Sequence, residues 1–368
     1  MRAILGGLLP VPCRLLGYSR PVRVADFDFD LPEELIAQQP APRGTSRLLV
    51  LRRDSGSIRD SVVSELPALL SAGDLIVIND TRVMAARLLG QRDPSGGAVE
   101  CLLLRRVEGH VWEALVHPGQ KLKPGARMRF DGSAGVLHAE VLDRHFFGRR
   151  TIRLEADAAL DVDSLVDALG HVPLPPYIKR TDTPADRERY QTVFARRRGS
   201  VAAPTAGLHF TPQILDALTA RGVQRAVITL HVGYGTFKPV RSDEVEQHVV
   251  DPEYYEIGEA AAEAINAARQ EHRRIVAVGT TTTRALEDAA ILGQGRVRPG
   301  SGEATTFIYP GFEFRVIDGL FTNFHLPKSS LLMLVSAFAG RERVLGAYRH
   351  AVERGYRFYS YGDAMLVI

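Results

Sequence analysis

Cysteine is nearly missing from this sequence. Cys13 and Cys101 are the only two in 368 residues. Two thiols build no disulfide framework, and no CxxC pair points to a metal or redox site. That usage fits a reducing cytoplasm. No window reaches ~18 unbroken apolar residues, so no membrane-spanning helix is predicted. The longest candidate, SSLLMLVSAFAG from Ser329 to Gly340, is long enough only for a buried core helix. Several site signatures are missing too. There is no strand–GxGxxG–helix unit with a downstream acid, no GxxxxGK[ST], no HExxH and no GxSxG. A bound dinucleotide, a P-loop, a zincin site and a hydrolase elbow are therefore set aside. His209, His231 and His325 stand on three separate loops, a spacing that does not suggest a metal site.

What is present is ordinary for a globular chain: 45% hydrophobic and 24% charged residues, enough to bury a large core of two or three domains. The formal charge of +3 tolerates a polyanionic partner without requiring one. Arginines cluster at Arg52–Arg53, Arg105–Arg106, Arg149–Arg150, Arg196–Arg198 and Arg273–Arg274. The N-terminal stretch MRAILGGLLPVPCRLLGYSR is interrupted by Pro10 and Pro12 and lacks a small-residue cleavage site. It reads as a disordered extension, or as sequence upstream of the true start, rather than as a signal peptide.

The chain divides by texture. A helix is expected around Pro32–Gln39, a strand near Leu48–Arg52 and a buried strand at DLIVI, Asp74–Ile78. From about Met84 to Asp157 six short β-rich runs alternate with turns such as PSGG and DGSAG, which predicts a small barrel or sandwich. DVDSLVDALG from Asp161 is a helix. From Thr211 onward helices alternate with strands, which implies a largely parallel or mixed sheet with helices on its faces. FIYPGF, FEFRVIDGLFTNF and the end YRFYSYGDAMLVI look like strands. The expected class is α/β with an inserted all-β barrel. Its expected boundaries are 1–22 for the extension, 23–83 with 158–368 for a discontinuous α/β domain, and 84–157 for the barrel.

Sites in such sheets lie at the carboxyl ends of strands. Four loops there share an odd composition: AAPTAGLHFTP (202–212), HVGYGTF (231–237), TTTTRALE (280–287) and TNFHLPKSS (322–330). Glycines such as Gly207, Gly233 and Gly235 let backbone approach a ligand. Thr281 and Thr282, with Arg284 at a helix start, would suit a carboxylate or phosphate. Thr205 and Asn323 add polar atoms to the same set. Each loop alone has a plain structural explanation; the four together point to a site.

These motifs, with SYGDAML, VINDTRVMAARL, GHVPLPPYIKR and RYQTVFA, closely resemble the S-adenosylmethionine:tRNA ribosyltransferase-isomerase family of queuosine biosynthesis. The resemblance runs from about Val24 to the C-terminus. Two places depart from it. HVVDPEYYEI carries Val250 and Asp251 where the family usually shows a His–Met–His-like pattern, and PRGTSRLL has Gly44 where Asp is common.

The resemblance implies that the ribosyl part of S-adenosylmethionine passes to 7-aminomethyl-7-deazaguanine in a tRNA anticodon. The product is epoxyqueuosine, with adenine and methionine released. The sulfonium acidifies the adjacent ribose carbon, so a modest base could form an ylide, and imidazole suits that work. His209 and His325 are the leading candidates, with His231 third. Asp363 could orient a histidine or hold the sulfonium by charge. Lys179, Arg180, Arg196, Arg197 and Arg198 are the expected phosphate contacts. No metal or redox cofactor is expected, S-adenosylmethionine being a co-substrate, and the protein is expected to be a cytoplasmic monomer. Two other readings stay open: a non-catalytic tRNA-binding protein of the same fold, and an S-adenosylmethionine-dependent methyltransferase.

Overall fold

The computed structural model describes residues 21–157, 160–237 and 239–368. Most of the expected extension 1–22 lies outside them, as does Cys13. Val22, its last residue, is buried and donates its backbone N–H to Glu246 Oε1 at 3.3 Å.

The apolar runs LIVIN, QRAVITL, IVAV and GLFTN form a parallel group. Leu75–Asn79 lies between Gln224–Leu230 and Ile275–Val278, and Gly319–Asn323 follows. Such runs are apolar at nearly every position because both faces of the sheet are covered. Leu75 and Val77 point into one core, Ile76 and Ile78 into the other, as the two-residue period of a strand requires. Antiparallel strands extend the group on both sides: Glu253–Ile257 and Gly300–Ala304 beyond one edge, Ala364–Val367 beyond the other. Arg47–Leu51 and Ile58–Val62 complete a nine-stranded sheet, so it is mixed. Helix Pro212–Ala220 covers one face. Thr211 caps it by accepting the Ile214 N–H at 3.2 Å, and Pro212 opens it. Helices Glu259–Gln270, Thr280–Leu292, Ser330–Ala339 and Arg341–Glu353 cover the other. Among the described residues no helix is long and apolar enough to cross a membrane.

The six β-rich runs close into a barrel of Arg87–Asp93, Ala98–Glu108, Val111–His117, Arg127–Gly132, Gly135–Arg144 and Arg149–Ala156. Alternation sets its interior: Trp112, Ala114 and Val116 point inward from one strand. Cys101 is buried there, and burial pushes its thiol up to about 12, so it is an inert core residue. Helix Val162–Leu169, grouped with the α/β part on sequence, packs Val162, Leu165 and Val166 into the barrel core.

Three sequence expectations need correction. Pro32–Gln39 holds only the 3-10 turn Glu33–Leu35. Its backbone pairs with Phe358 instead, through Phe358 N–H to Leu35 O at 2.8 Å and Ala37 N–H to Phe358 O at 3.2 Å. Of FIYPGF and FEFRVIDGLFTNF, only Gly319–Asn323 is strand. The N–H groups of Arg315, Val316 and Ile317 are taken by the buried Glu287 carboxylate at 2.7–3.2 Å, not by a neighbouring strand. In the last segment, strand begins only at Ala364, because the Asp363 carboxylate binds the N–H groups of Arg47 and Arg357 just before it.

Candidate active site

Because the four central strands run parallel, their carboxyl ends share one edge of the sheet. The loops after Leu230, Val278 and Asn323 all leave from there, and the segment from Ala202 to Ala206 closes over it. Between them lies a cleft of about 520 Å³, walled by Ala202–Ala206, Val232, Thr236, Gly279–Thr281, Thr322–His325, Leu331, Tyr177, Tyr359 and Ser360. All four loops singled out in the sequence contribute to this wall. None of these lining residues is Asp, Glu, Lys or Arg. Gly279, with φ of 96°, turns the chain sharply from strand to helix and leaves Thr280 and Thr281 at the helix start facing the cleft.

His325 lines the cleft, with Nε2 3.0 Å from Thr322 Oγ1, while its backbone N–H donates to the Tyr348 hydroxyl at 3.1 Å. Burial drives its imidazole down to about 3, so it is neutral at physiological pH. His209 is also buried and also driven down to about 3, by burial first and by Arg357 and Arg43 second. It stands behind the wall, not in it: its Nε2 lies 3.0 Å from Asn323 Nδ2, and Asn323 is the residue that reaches the cleft. His231 lies apart, its Nδ1 2.8 Å from Thr81 Oγ1 and its ring stacked on Tyr254, and burial lowers its imidazole as well. The three imidazoles thus do not meet, and one of them borders the cleft.

A second cleft, of about 530 Å³, adjoins the first and shares Thr236 and Leu331 with it. Its chemistry is different. Glu253 Oε2 accepts from Arg284 at 2.6 Å, and Oε1 accepts from Gly233 N–H at 3.0 Å and Thr236 Oγ1 at 3.1 Å. Arg284 also donates to the carbonyl oxygens of Ala304 and Thr306. Asp251, on the same wall, pairs with Arg149 of the barrel at 3.1 Å, which ties the barrel to this edge. The guanidinium expected to meet a ligand anion is therefore already held by a buried carboxylate.

The other expected site residues divide between the clefts and places outside them. Thr205 and Thr281 line the first cleft; Gly235 lines the second, where an added Cβ would lie 2.7 Å from Asp251. Gly233 has open space, its hypothetical Cβ meeting nothing closer than 3.9 Å. Gly207 faces the protein: a Cβ would lie 2.7 Å from Thr192 and 2.9 Å from Phe194. Thr282 turns its hydroxyl back to Val278 O at 2.8 Å. Asp363 is 2% exposed and binds two backbone N–H groups and the Arg357 guanidinium, away from both clefts. Of the basic candidates, Arg180 is clamped by Asp186 at 2.7 and 2.8 Å, and Arg198 pairs with Asp163 and Asp167. Lys179 pairs at the surface with Glu33, and Arg197 with Glu256. Arg196 reaches Asp80 with a side chain that stays 75% exposed.

Sequence reasoning missed Tyr177, Phe324, Tyr359 and Ser360 as cleft residues, and Glu253 and Asp251 as the charged wall beside it. Tyr177 and Ser360 are hydrogen-bonded to each other across 183 positions. The motifs PPYIKR and FYSYGD marked both, but nothing local shows that they meet.

Three comparisons with known proteins agree. Residues 24–367 match the model of the family described as queuosine biosynthesis protein. The S-adenosylmethionine:tRNA ribosyltransferase-isomerase of Heliobacterium modesticaldum is 51% identical over 348 residues, covering 94% of this chain and all of that one. The protein of that name from Symbiobacterium thermophilum is 52% identical over 349 residues, with the same coverage. A crystal structure of an S-adenosylmethionine tRNA ribosyltransferase from Thermotoga maritima matches 93% of this chain and all of its own at 38% identity, with a TM-score of 0.52.

Proposed function

The chain belongs to the queuosine biosynthesis protein family, and from that premise we infer that it is an S-adenosylmethionine:tRNA ribosyltransferase-isomerase. It transfers and isomerises the ribosyl part of S-adenosylmethionine onto 7-aminomethyl-7-deazaguanine in tRNA, giving epoxyqueuosine-tRNA, adenine and methionine. The observation that carries this reading is full-length identity near 50% to proteins of that name, on a chain whose four polar loops converge at one sheet edge.

The two clefts suggest how the co-substrate lies. The uncharged, tyrosine-walled first cleft suits a flat neutral nucleoside, and the adjoining charged cleft suits the amino-acid end. The sulfonium and the ribose carbon next to it then fall near Thr236 and Leu331, where the clefts join. His325 becomes the leading candidate for the base that removes the proton beside the sulfonium, since it alone of the three histidines borders the first cleft. The modified base would enter through a wide cleft of about 1390 Å³ between the barrel and Pro173–Thr181, which reaches Val201 and Tyr234 beside the first cleft. Lys179, Arg196 and Arg197 remain the candidates for phosphate contacts; Arg180 and Arg198 are better cast as structural clamps. Every step is ionic, with a thioether and a purine leaving, so no metal or redox cofactor is proposed. A cytoplasmic monomer is proposed with it.

The test supplies S-adenosylmethionine and tRNA carrying the aminomethyl-deazaguanine, with and without chelator. Equimolar release of adenine and methionine, unaffected by chelator, is expected. S-adenosylhomocysteine as the product would mean methyl transfer, and tRNA binding without adenine release would mean a binding protein.

A further inference from the structure

Asn323 ends strand Gly319–Asn323 and is 2% exposed. Its amide nitrogen lies 3.1 Å from the Tyr359 carbonyl oxygen and 3.0 Å from His209 Nε2. A carbonyl oxygen cannot donate, so the amide must turn its NH2 towards Tyr359; the flipped amide would set oxygen against oxygen. One N–H is then spent on Tyr359 and the second points at His209. His209 Nε2 must accept it, which places the imidazole proton on Nδ1. Both amide hydrogens are now used, and the amide is pinned at two points.

The amide oxygen is left over. Asn323 Oδ1 is fully buried and has no hydrogen-bond partner among the described residues. A buried acceptor without a donor is costly, of the order of a lost hydrogen bond or more, unless something supplies one. Asn323 lines the first cleft, and His209 does not. We propose that Asn323 Oδ1 accepts a hydrogen bond from the exocyclic amine of the adenine of S-adenosylmethionine, and that His209 is a positioning residue that holds the amide in the orientation this requires.

The inference rests on the S-adenosylmethionine reading above and deepens it. The co-substrate has three kinds of donor: the purine amine, the ribose hydroxyls and the ammonium. The cleft wall beside Asn323 carries no carboxylate and is faced by Tyr177, Phe324 and Tyr359, which suits a neutral aromatic ring and not an ammonium. Hypoxanthine carries a carbonyl where adenine carries the amine. Against a pinned carbonyl it sets acceptor against acceptor, so the device discriminates by an unsatisfied pair and not by size.

The experiment compares dissociation constants of S-adenosylmethionine and S-inosylmethionine, whose base is hypoxanthine, by calorimetry. Wild type should prefer the adenine compound by ~10-fold or more, as expected where a site built for a donor meets an analogue lacking it. Asn323→Leu should bring the ratio close to one while lowering affinity for the adenine compound. His209→Gln, whose side-chain oxygen can still accept from the amide, should keep most of the preference, and His209→Leu should lose it. An unchanged ratio in Asn323→Leu, or an equal loss for both compounds, overturns the inference alone. Wild type that binds neither compound overturns the functional reading and this inference with it. A measurement on the unaltered protein guards against variants that fail to fold: nitrogen NMR of His209 should show the proton on Nδ1, and a proton on Nε2 overturns the arrangement.

Discussion

The first cleft presents neutral groups only, whereas the second, which adjoins it, is built on Glu253, Arg284 and Asp251. They share Thr236 and Leu331, but the four polar loops form most of the first, whereas His248–Asp251, Glu253, Phe307 and Ile308 form much of the second. They differ because the edge itself is asymmetric. On one side strand Gly319–Asn323 ends in Thr322 and Asn323, whose hydroxyl and amide nitrogen bind neighbouring side chains and backbone. On the other, the antiparallel strand Glu253–Ile257 brings a carboxylate in beside the start of helix Thr280–Leu292. A sulfonium amino-acid nucleoside has the same asymmetry, with a neutral aromatic end and a zwitterionic end. That match is what supports the proposed placement of the neutral end in the first cleft and the zwitterionic end in the second.

The largest expected effect comes from breaking the charged cleft. Glu253 and Arg284 are a buried pair, and removing one partner strands the other. Glu253→Gln or Arg284→Met should cost about 3–5 kcal/mol of stability, read from urea unfolding, whereas a mutually satisfied double replacement should cost less. If either single variant unfolds like wild type, the pair is not what holds this edge.

In the neutral cleft the expected effect is on turnover. His325→Ala should lower adenine release by ~100-fold or more with little change in S-adenosylmethionine affinity, if the general base is lost. His209→Ala should act through co-substrate affinity instead. Since burial holds His325 down to about 3, the required neutral form persists well below the usual histidine range. The acid limb of turnover should therefore lie far below pH 6.5, not near neutrality as an exposed imidazole would give. A limb near 6.5 would point to a different, exposed base.

A smaller effect follows for stability in acid. His209 and His325 take up protons in the unfolded chain near pH 6.5 but in the folded chain only near 3. Below about 6.5 the unfolded state therefore binds more protons, and stability falls as pH drops; above it these groups contribute nothing. His325→Gln should flatten part of that fall between pH 6.5 and 4.5, measured by thermal midpoints against wild type.

The smallest effect lies outside both clefts. Replacing Arg196 and Arg197 by Ala should reduce the slope of log affinity against log salt for tRNA by ~0.7 for each phosphate left without its guanidinium. Arg180→Ala should instead lower stability, because it strands Asp186. An unchanged slope would make the exposed arginines solvated surface.

Much of this was legible in the chain. The six barrel strands were marked by alternation and by turn residues between them, both local signals. The central strands were marked by apolar runs with helices between, which fixes parallel pairing and hence a common carboxyl edge. That logic was enough to name the four loops and Thr205, Thr281, Asn323 and His325. It failed where a group distant in sequence, a side chain in one case and a backbone in the other, replaces a local partner. Glu287 takes the N–H groups of 315–317 and cancels a strand; Phe358 takes the backbone of 35–37 and cancels a helix. Strand Gly300–Ala304 escaped notice because its sequence, GSGEA, has no apolar alternation, and only its pairing with Glu253–Ile257 makes it strand.

Composition and pattern by themselves determined the class of fold, the inserted barrel and the sheet edge where the four polar loops gather, because periodicity and connection rules act over a few tens of residues. Which of three histidines borders the cleft was decided only in three dimensions. His209, His231 and His325 look alike in sequence, each beside small and polar residues. Their roles separate because Asn323 stands between His209 and the cleft, Thr81 and Tyr254 hold His231 elsewhere, and His325 alone is left at the wall. Burial, tautomer and hydrogen-bond direction belong to the packed neighbourhood, and for His209 and His231 that neighbourhood includes residues more than a hundred positions away.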